Sequence, residues 1–227
     1  MSNDNSKIDN NIQSSANSPQ NVASNQNPMK ALNQYLKSAA GTREGRAIPP
    51  LEKWHPEQVD DMDLVIKANG EWWHEGGQMT RESLVSLFAT ILWKEENNGV
   101  AEYFLKTPVQ KLRIQVEDAP LLINDVGIVD EANNSWLEFT TTTGDVVRLD
   151  DAHPITLRAY SLDGTTDDQS DVQVRPYMPV RNGLTALIGR NVFYHLTEIG
   201  ELTEQKGETI LTLQSGGRSY ELSMPNG

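Results

Sequence analysis

Residues 76–116 read GGQMTRESLVSLFATILWKEENNGVAEYFLKTPVQKLRIQV and combine a glycine-containing loop, an amphipathic stretch and two short β-like runs. Apolar residues of the middle part recur at helical spacing, which predicts a core helix from Thr80, the expected N-cap, through Trp93. Asn97-Asn98-Gly99 is expected to end this helix. A β-hairpin over residues 103–116 should follow. The segment therefore predicts the order loop, helix, hairpin.

The same order of segments recurs near the C-terminus. Arg181-Asn182-Gly183 supplies the loop, and Asn182 is the expected cap of a second helix. Apolar residues at helical spacing continue this predicted helix over 184–199, and a hairpin over 209–222 should follow. This recurrence predicts an α+β fold of two duplicated units, each with curved antiparallel strands around one helix.

The predicted division of the chain has three parts. Residues 1–46, rich in Asn, Ser and Gln, are expected to form a disordered tail, because so few apolar side chains cannot offset the entropy of ordering. Residues 47–123 form the first predicted unit and residues 124–227 the second. Within the tail, Met29, Leu32 and Leu36 fall on one helical face. This segment is therefore either a short helix that serves as a docking element or a frayed linker.

Turn residues predict further hairpins. Apolar and polar residues alternate over 62–74, and Asn69-Gly70 is a strong two-residue hairpin turn. A second hairpin is expected over 136–149, with its turn near Thr143-Gly144.

Charge and composition exclude several classes of function. The net charge is −13, and the tail holds five basic and three acidic residues, so the predicted folded region carries −15. Such a body repels long nucleic acids, although a local basic pocket could still hold a small anion. No apolar run approaches the length of a membrane span, no secretory signal is recognisable, and a cytoplasmic location is expected.

The sequence lacks the patterns of known catalytic and metal centres. Cysteine is absent, the four histidines show no ligand spacing, and no phosphate-loop or nucleophile motif occurs. We therefore expect no cofactor and no metal, and we assign no catalytic residue.

Candidate ligand-binding residues are cations and aromatic side chains. Of these, Arg81 and Arg181 lie beside the predicted helix starts, and Lys111 lies on one face of a predicted strand, where a solvated strand face is the alternative. A helix start exposes unpaired N–H groups, so an adjacent arginine makes an anion site plausible. The alternative for each arginine is an ion pair with a surface carboxylate, and the alternative for the tryptophan is packing between the units. The candidates are Arg81, Lys111, Arg175, Arg181 and Arg190 for the anion, and Trp72 and Tyr177 for stacking a ring.

Several motifs follow one another in a specific order along the chain: Pro49-Pro50 with Trp54-His55-Pro56, Gly70-Glu71-Trp72, residues 80–88, Thr107-Pro108-Val109, residues 116–120, Arg175-Pro176-Tyr177, residues 180–184 and Ser215-Gly216-Gly217. Together they resemble an uncharacterised bacterial family known as domain of unknown function 1285. The resemblance spans about residues 47–223 and departs from the family pattern at Gln110, where Glu would be expected.

The resemblance implies a duplicated core whose second unit looks like a pleckstrin-homology domain. It also implies a ligand site at the interface of the two units, a nucleotide-like ligand and a role in signal transduction.

Three functions are compatible with these observations. The first is a non-enzymatic sensor that binds a small anionic, nucleotide-like ligand between its units. The second is a protein-interaction module that presents a strand edge or groove to a protein partner. The third is a hydrolase that uses Asp118 or His74, although no nucleophile and base pair is recognisable.

Overall fold

The computed structural model describes Leu32 and residues 47–161 and 173–224. Within these residues the protein is mostly β, with fifteen strands in three sheets and two α-helices. The helices are α1 (Glu82–Thr90) and α2 (Arg190–Ile199), and a 3₁₀ helix spans Leu51–Lys53. The strands are β1 (Gln58–Ile66), β2 (Trp72–His74), β3 (Gly77–Gln78), β4 (Leu92–Asn97), β5 (Val100–Lys106), β6 (Gln110–Val116), β7 (Leu121–Glu131), β8 (Asn134–Thr141), β9 (Val146–Arg148), β10 (Thr156–Tyr160), β11 (Gln173–Arg181), β12 (Leu184–Ile188), β13 (Glu201–Gln205), β14 (Glu208–Ser215) and β15 (Arg218–Met224).

The two six-stranded sheets repeat one topology. The first has the order β3-β2-β1-β6-β5-β4, and the second has the order β9-β8-β7-β12-β11-β10. If the six strands of each sheet are numbered 1 to 6 in chain order, both sheets have the order 3-2-1-6-5-4. The expected duplication into two similar units is confirmed; we call β1–β6 with α1 the first unit and β7–β12 with the helix α2 that follows them the second unit.

Both sheets are mixed, so the expectation of wholly antiparallel units was wrong. The first and last strands of each unit lie side by side at the centre of the sheet and run parallel, as β1 with β6 and β7 with β12. A parallel pair needs a long crossover connection, and here the other four strands of the unit provide it.

The helices do not follow the repeat of the sheets. Helix α1 lies between the third and fourth strands of its unit, whereas α2 follows the last strand of the second unit and leads into the antiparallel sheet β13–β15. The repeat predicted by matching the two helices is therefore offset from the repeat of the strands. The likeness of the second unit to a pleckstrin-homology domain is not confirmed.

The first helix is shorter than predicted. It ends at Thr90, and the next residues form β4, in which Leu92 pairs with Leu105 of β5. Asn98 and Gly99 both adopt positive φ and form the turn between β4 and β5 instead of a helix end. The N-cap position is held by Arg81, which makes no capping hydrogen bond with its side chain.

The second helix also starts later than predicted. Asn182 and Gly183, both with positive φ, form the turn between β11 and β12, so Asn182 is no helix cap. The residues that follow, 184–188, are a strand because β11 and β7 pair with them on either side. Helix α2 begins at Arg190, with Gly189 in the N-cap position.

The predicted hairpins are confirmed. β1 pairs antiparallel with β2, and β8 with β9. The first turn contains Asn69 and Gly70 as expected, but the loop has three residues instead of two, because Lys67 N donates to Glu71 O. Gly70 has a φ of 85°, which a glycine adopts without strain.

One hydrophobic core runs through both units. It includes Phe88 of α1, Leu112 of β6, Ile123 of β7 and Leu196 of α2. Leu32, from the predicted tail, is helical, fully buried and part of this core. The rest of the predicted tail and most of the loop between β10 and β11 lie outside the described residues.

The third sheet is joined to the second unit through Ser215. This fully buried hydroxyl accepts a hydrogen bond from Leu137 N at 3.1 Å and donates one to Leu149 O at 2.8 Å. The neighbouring Gly216 lies against the ring of Trp136, where a Cβ atom would come within 2.4 Å of ring carbons.

Candidate functional site

A cleft of about 850 Å³ opens where the two units meet, and we call it the inter-unit cleft. The first unit contributes the turn between β1 and β2, and the second contributes β7, β10, β11, β12 and the start of α2. The lining residues are Ala68, Asn69, Leu122, Leu157, Gln173, Val174, Arg175, Pro176, Leu187, Ile188, Gly189, Arg190, Phe193 and Tyr194. This size is typical of a small-molecule site.

Two close contacts position the walls of the cleft. The backbone of Gly70 approaches Leu122 so closely that a Cβ atom on the glycine would lie 2.7 Å from Leu122 Cδ2. Gly189 N donates to Ile123 O at 2.9 Å, which holds the start of α2 beside β7. The lining thus depends on glycines at two points where side chains would clash or crowd the backbone.

Arg190 supplies an uncompensated positive charge to the cleft. It is the first residue of α2, its side chain is exposed, and it forms no ion pair with any described residue. The first N–H groups of a helix have no intrahelical acceptors, and they carry the positive end of the helix dipole. The charge and the helix start together favour an anion at this end of the cleft.

Arg175 also lines the cleft, but its charge is already neutralised. Its Nη1 donates to Asp118 Oδ2 at 2.8 Å, and the side chain of Asp118 is only 6% exposed. The guanidinium also stacks on the ring of Tyr160, with 3.7 Å to the centroid, and bonds to Gln173. Arg175 is therefore held in place as part of the wall.

Tyr177 completes the polar cluster around Asp118. Its hydroxyl donates to Asp118 Oδ1 at 2.6 Å, and the guanidinium of Arg158 covers its ring at 4.1 Å. Burial and then the hydrogen bond to Asp118 raise the pKa of Tyr177 far above its usual range. Tyr177 is not in the lining of the cleft, so the structure does not offer its ring to a ligand there.

Arg181 joins the two units away from the cleft lining. Its Nε donates to Asp145 Oδ1 at 2.6 Å and its Nη2 to the carbonyl of Ala89 in α1 at 2.7 Å. Its Nη1 is buried without a hydrogen-bond partner among the described residues. Arg181 thus acts as a bridge between units.

The remaining candidates lie elsewhere in the first unit. Arg81 is exposed at the start of α1 and bonds to Ser83, and Lys111 forms an ion pair with Glu95 at 2.7 Å. Trp72 was expected to stack a ligand ring, but only 3% of it is exposed and it packs near Phe88 in the core. Of the seven candidates, only Arg175 and Arg190 line the inter-unit cleft.

Sequence reasoning missed two contributors to this region. Asn69 was read only as a turn residue, yet its position in the turn brings it to the cleft. Asp118 was considered as a hydrolase residue, yet it holds Arg175 and Tyr177, which are 57 and 59 residues away along the chain. No local pattern could have revealed either placement, because both depend on how the units pack.

The lining permits binding more readily than catalysis. Among the described residues that line the cleft there is no Asp, Glu, His, Ser or Thr. Of the residues considered for a hydrolase, Asp118 is held by its ion pair, and His74 Nδ1 lies 2.6 Å from Asp63 O. Among the described residues, no group of three or more His, Cys, Asp or Glu side chains is placed to hold a metal ion.

The fold and the site define a protein of two mixed-sheet units with a cleft between them. Family models match almost all of this region: the N-terminal domain of DUF1285, a domain of unknown function, over residues 49–119, and its C-terminal domain over 120–222. The chain belongs to the DUF1285 family.

A solved structure agrees with this assignment. A crystal structure of a DUF1285 family protein from Silicibacter pomeroyi DSS-3 is similar, with 33% identity, a TM-score of 0.63, and coverage of 83% of this chain and 93% of that chain. A second, from Shewanella baltica OS155, has 32% identity and a TM-score of 0.43 and covers 60% of this chain and 91% of that chain. No curated protein matches the chain.

No helix within the described part of the chain is long and apolar enough to cross a membrane.

Proposed function

We propose that this protein is a non-enzymatic sensor that binds a small organic anion in the inter-unit cleft and serves in signal transduction. The resemblance to the family suggests a nucleotide-like ligand as one member of this class. The observation that carries the proposal is Arg190, an exposed cation without an ion-pair partner among the described residues, which lines a cleft of about 850 Å³.

The two units would be coupled by such a ligand. Asn69 comes from the first unit and Arg190 from the second, so a molecule that touches both adds contacts across the boundary between them. Binding energy then stabilises one arrangement of the units, and a change in that arrangement is the signal a partner can read.

Thermal unfolding of the full chain tests the proposal. A ligand at a hundredfold excess over its Kd stabilises the folded state by about 2.7 kcal/mol, which raises Tm by about 5–10 °C for a chain of this size. The panel contains nucleoside monophosphates, cyclic dinucleotides, simple phosphates and organic carboxylates. We expect at least one class of organic anion to raise Tm, and Arg190→Gln to abolish the increase.

The matched control is Arg81→Gln. Arg81, like Arg190, is an exposed arginine at the start of a helix, but it lies outside the cleft lining. We expect this variant to keep the full Tm increase. An increase lost equally in both variants would show unspecific charge attraction, and no increase with any compound would contradict the sensor function.

An interaction module is the second candidate function. The rim of the cleft exposes apolar surface, with Val174 47% and Tyr194 60% exposed, and β10 forms an edge of its sheet. An extended peptide could pair with such an edge and place apolar side chains on the rim. Val174→Asp and Tyr194→Ser should then weaken capture of the partner, while Arg190→Gln should not.

A further inference from the structure

We propose that the ligand of the inter-unit cleft is an amphipathic monoanion, a single carboxylate head on an apolar body, and not a polyphosphate. This inference rests on the proposed function, since it specifies the chemistry of the same site. It follows from the charge balance of the lining, from its apolar surface and from the small number of its polar groups.

The charge balance leaves room for one negative charge. Of the described residues that line the cleft, two are arginines, but Arg175 is neutralised by the nearly buried Asp118, with the two side chains in contact at 2.8 Å. Arg190 is the one of the two that forms no ion pair with any described residue. A buried or half-buried charge is costly unless an opposite charge meets it, so a ligand with several negative charges would leave most of them unpaired.

The charge of the whole protein acts in the same direction. The chain carries a net charge of −13, so its surroundings disfavour every additional negative charge that the cleft does not match. A triphosphate or a dinucleotide would bring several negative charges into this field, with Arg190 as their single partner. A monocarboxylate brings one charge, and Arg190 at the start of α2 can pair with it.

Most of the other described residues that line the cleft are apolar. They are aliphatic and aromatic side chains from β7, β10, β11, β12 and α2, namely Leu122, Leu157, Val174, Pro176, Leu187, Ile188, Phe193 and Tyr194. Surface of this kind gains free energy when it is covered by hydrocarbon, at roughly 0.8 kcal/mol per buried methylene. An alkyl or aryl body is the complement of this wall.

The polar groups are too few for a nucleobase and a ribose. The amides that line the cleft belong to Asn69 and Gln173. The Oδ1 atom of Asn69 already accepts a hydrogen bond from Glu71 N at 3.0 Å, and the Oε1 atom of Gln173 accepts from Arg175 at 3.0 Å. The polar edges of a base and a sugar would lose their bonds to water without gaining equal partners.

Titration calorimetry on the full chain tests this assignment with four probes. Hexanoate and decanoate share the head and differ in length, decanol shares the body of decanoate without its charge, and AMP represents the nucleotides. Affinity should rise about fourfold per added methylene, which is 0.8 kcal/mol converted to a ratio of Kd values. Decanoate should therefore bind on the order of a hundredfold more tightly than hexanoate.

The head group is tested by a cycle of two ligands and two proteins. Arg190→Gln should weaken decanoate at least tenfold, because a charge-assisted bond is lost, and should leave decanol unchanged. Arg81→Gln should leave both unchanged.

The outcomes separate this inference from the function it rests on. If AMP binds in an Arg190-dependent way and decanoate does not, the sensor function stands and the monoanion inference is overturned. If decanoate binds equally to wild type and Arg190→Gln, its head is elsewhere and the inference also fails. If no organic anion shows a dependence on Arg190, both proposals are wrong.

Discussion

Arg181 in β11 donates a hydrogen bond from Nη2 to the backbone carbonyl of Ala89 in α1, over a distance of 2.7 Å. The bond crosses from the second unit to the last turn of the helix in the first unit, where free carbonyls and the negative end of the dipole favour a cation. The same guanidinium pairs through Nε with Asp145, whose side chain is 9% exposed. One side chain therefore links the second sheet to helix α1 of the first unit and to an almost buried carboxylate.

This arrangement predicts strongly unequal costs for single and double substitutions. Arg181→Met leaves the carboxylate of Asp145 nearly buried without its cation, so we expect the free energy of unfolding to fall by about 3–5 kcal/mol. Adding Asp145→Leu should restore a large part of this loss, because no unpaired charge remains. Chemical denaturation of the two single variants and the double variant measures the coupling. Additive losses would show that the pair does not act as a unit.

The contact of Gly70 with Leu122 predicts a cost that a matched glycine does not share. Gly70→Ala adds a Cβ atom 2.7 Å from Leu122 Cδ2 at a φ of 85°, whereas at Gly76, with a φ of 74°, no atom lies within 4 Å of the added carbon. Both variants bear the strain of positive φ, about 1–2 kcal/mol. Gly70→Ala should lose about 1–3 kcal/mol more in urea unfolding, because the turn must move away from β7. Equal losses would mean that Leu122 moves away from the added Cβ atom without a cost in free energy.

Leu32 lies in the predicted disordered tail, yet it is fully buried in the core. Leu32→Ala should therefore lower the free energy of unfolding by about 2–5 kcal/mol, as truncation of a buried leucine does. Leu36→Ala, in the same apolar spacing, serves as the comparison in the same unfolding experiment. A stability unchanged by Leu32→Ala would show that this leucine does not contribute to the folded state in solution.

The raised pKa of Tyr177 predicts weaker stability at alkaline pH. Burial and the hydrogen bond to Asp118 keep the phenol protonated in the folded state, while in the unfolded state it ionises near pH 10. Above pH 10 the unfolded state therefore binds fewer protons than the folded state. The contribution of Tyr177 to the stability of the fold is full below pH 10 and declines as pH rises above that value. Unfolding free energies measured from pH 8 to 11 should decline less steeply in Tyr177→Phe.

The control for this experiment is Tyr194→Phe, which removes a hydroxyl from an exposed ring, 60% accessible, on α2. A decline that is equally steep in wild type and Tyr177→Phe would show that Tyr177 does not carry the pH dependence.

Local patterns were sufficient for the hairpins and for the family. The turn residues Asn69-Gly70 and Gly216-Gly217 allow positive φ, and apolar and polar residues alternate on the strands beside them. Each of these two hairpins is therefore specified by a segment of about fifteen residues. The order of several such motifs along the chain also identified the family, because it does not depend on packing.

Local patterns failed where helix and strand share one apolar spacing. Leu184 and Ile188 satisfy the helical spacing of four and also the alternation of a strand, and both are buried in β12. Pairing with β7 and β11 decided between the two, since a strand there satisfies backbone groups on both sides. Leu92 and Trp93 form β4 instead of a helix because they pair with β5 on one side, at the edge of the first sheet.

The sequence by itself determined the predicted hairpins, the duplication and the acidic charge of this protein. Only the tertiary structure decided that the end strands of each unit pair in parallel, that Arg181 connects the units, and that Asn69 and Arg190 line one cleft. Those relations join residues that are dozens of positions apart, and they arise from burial and charge pairing across the units. Such contacts cannot be inferred from the residues that are adjacent in the sequence.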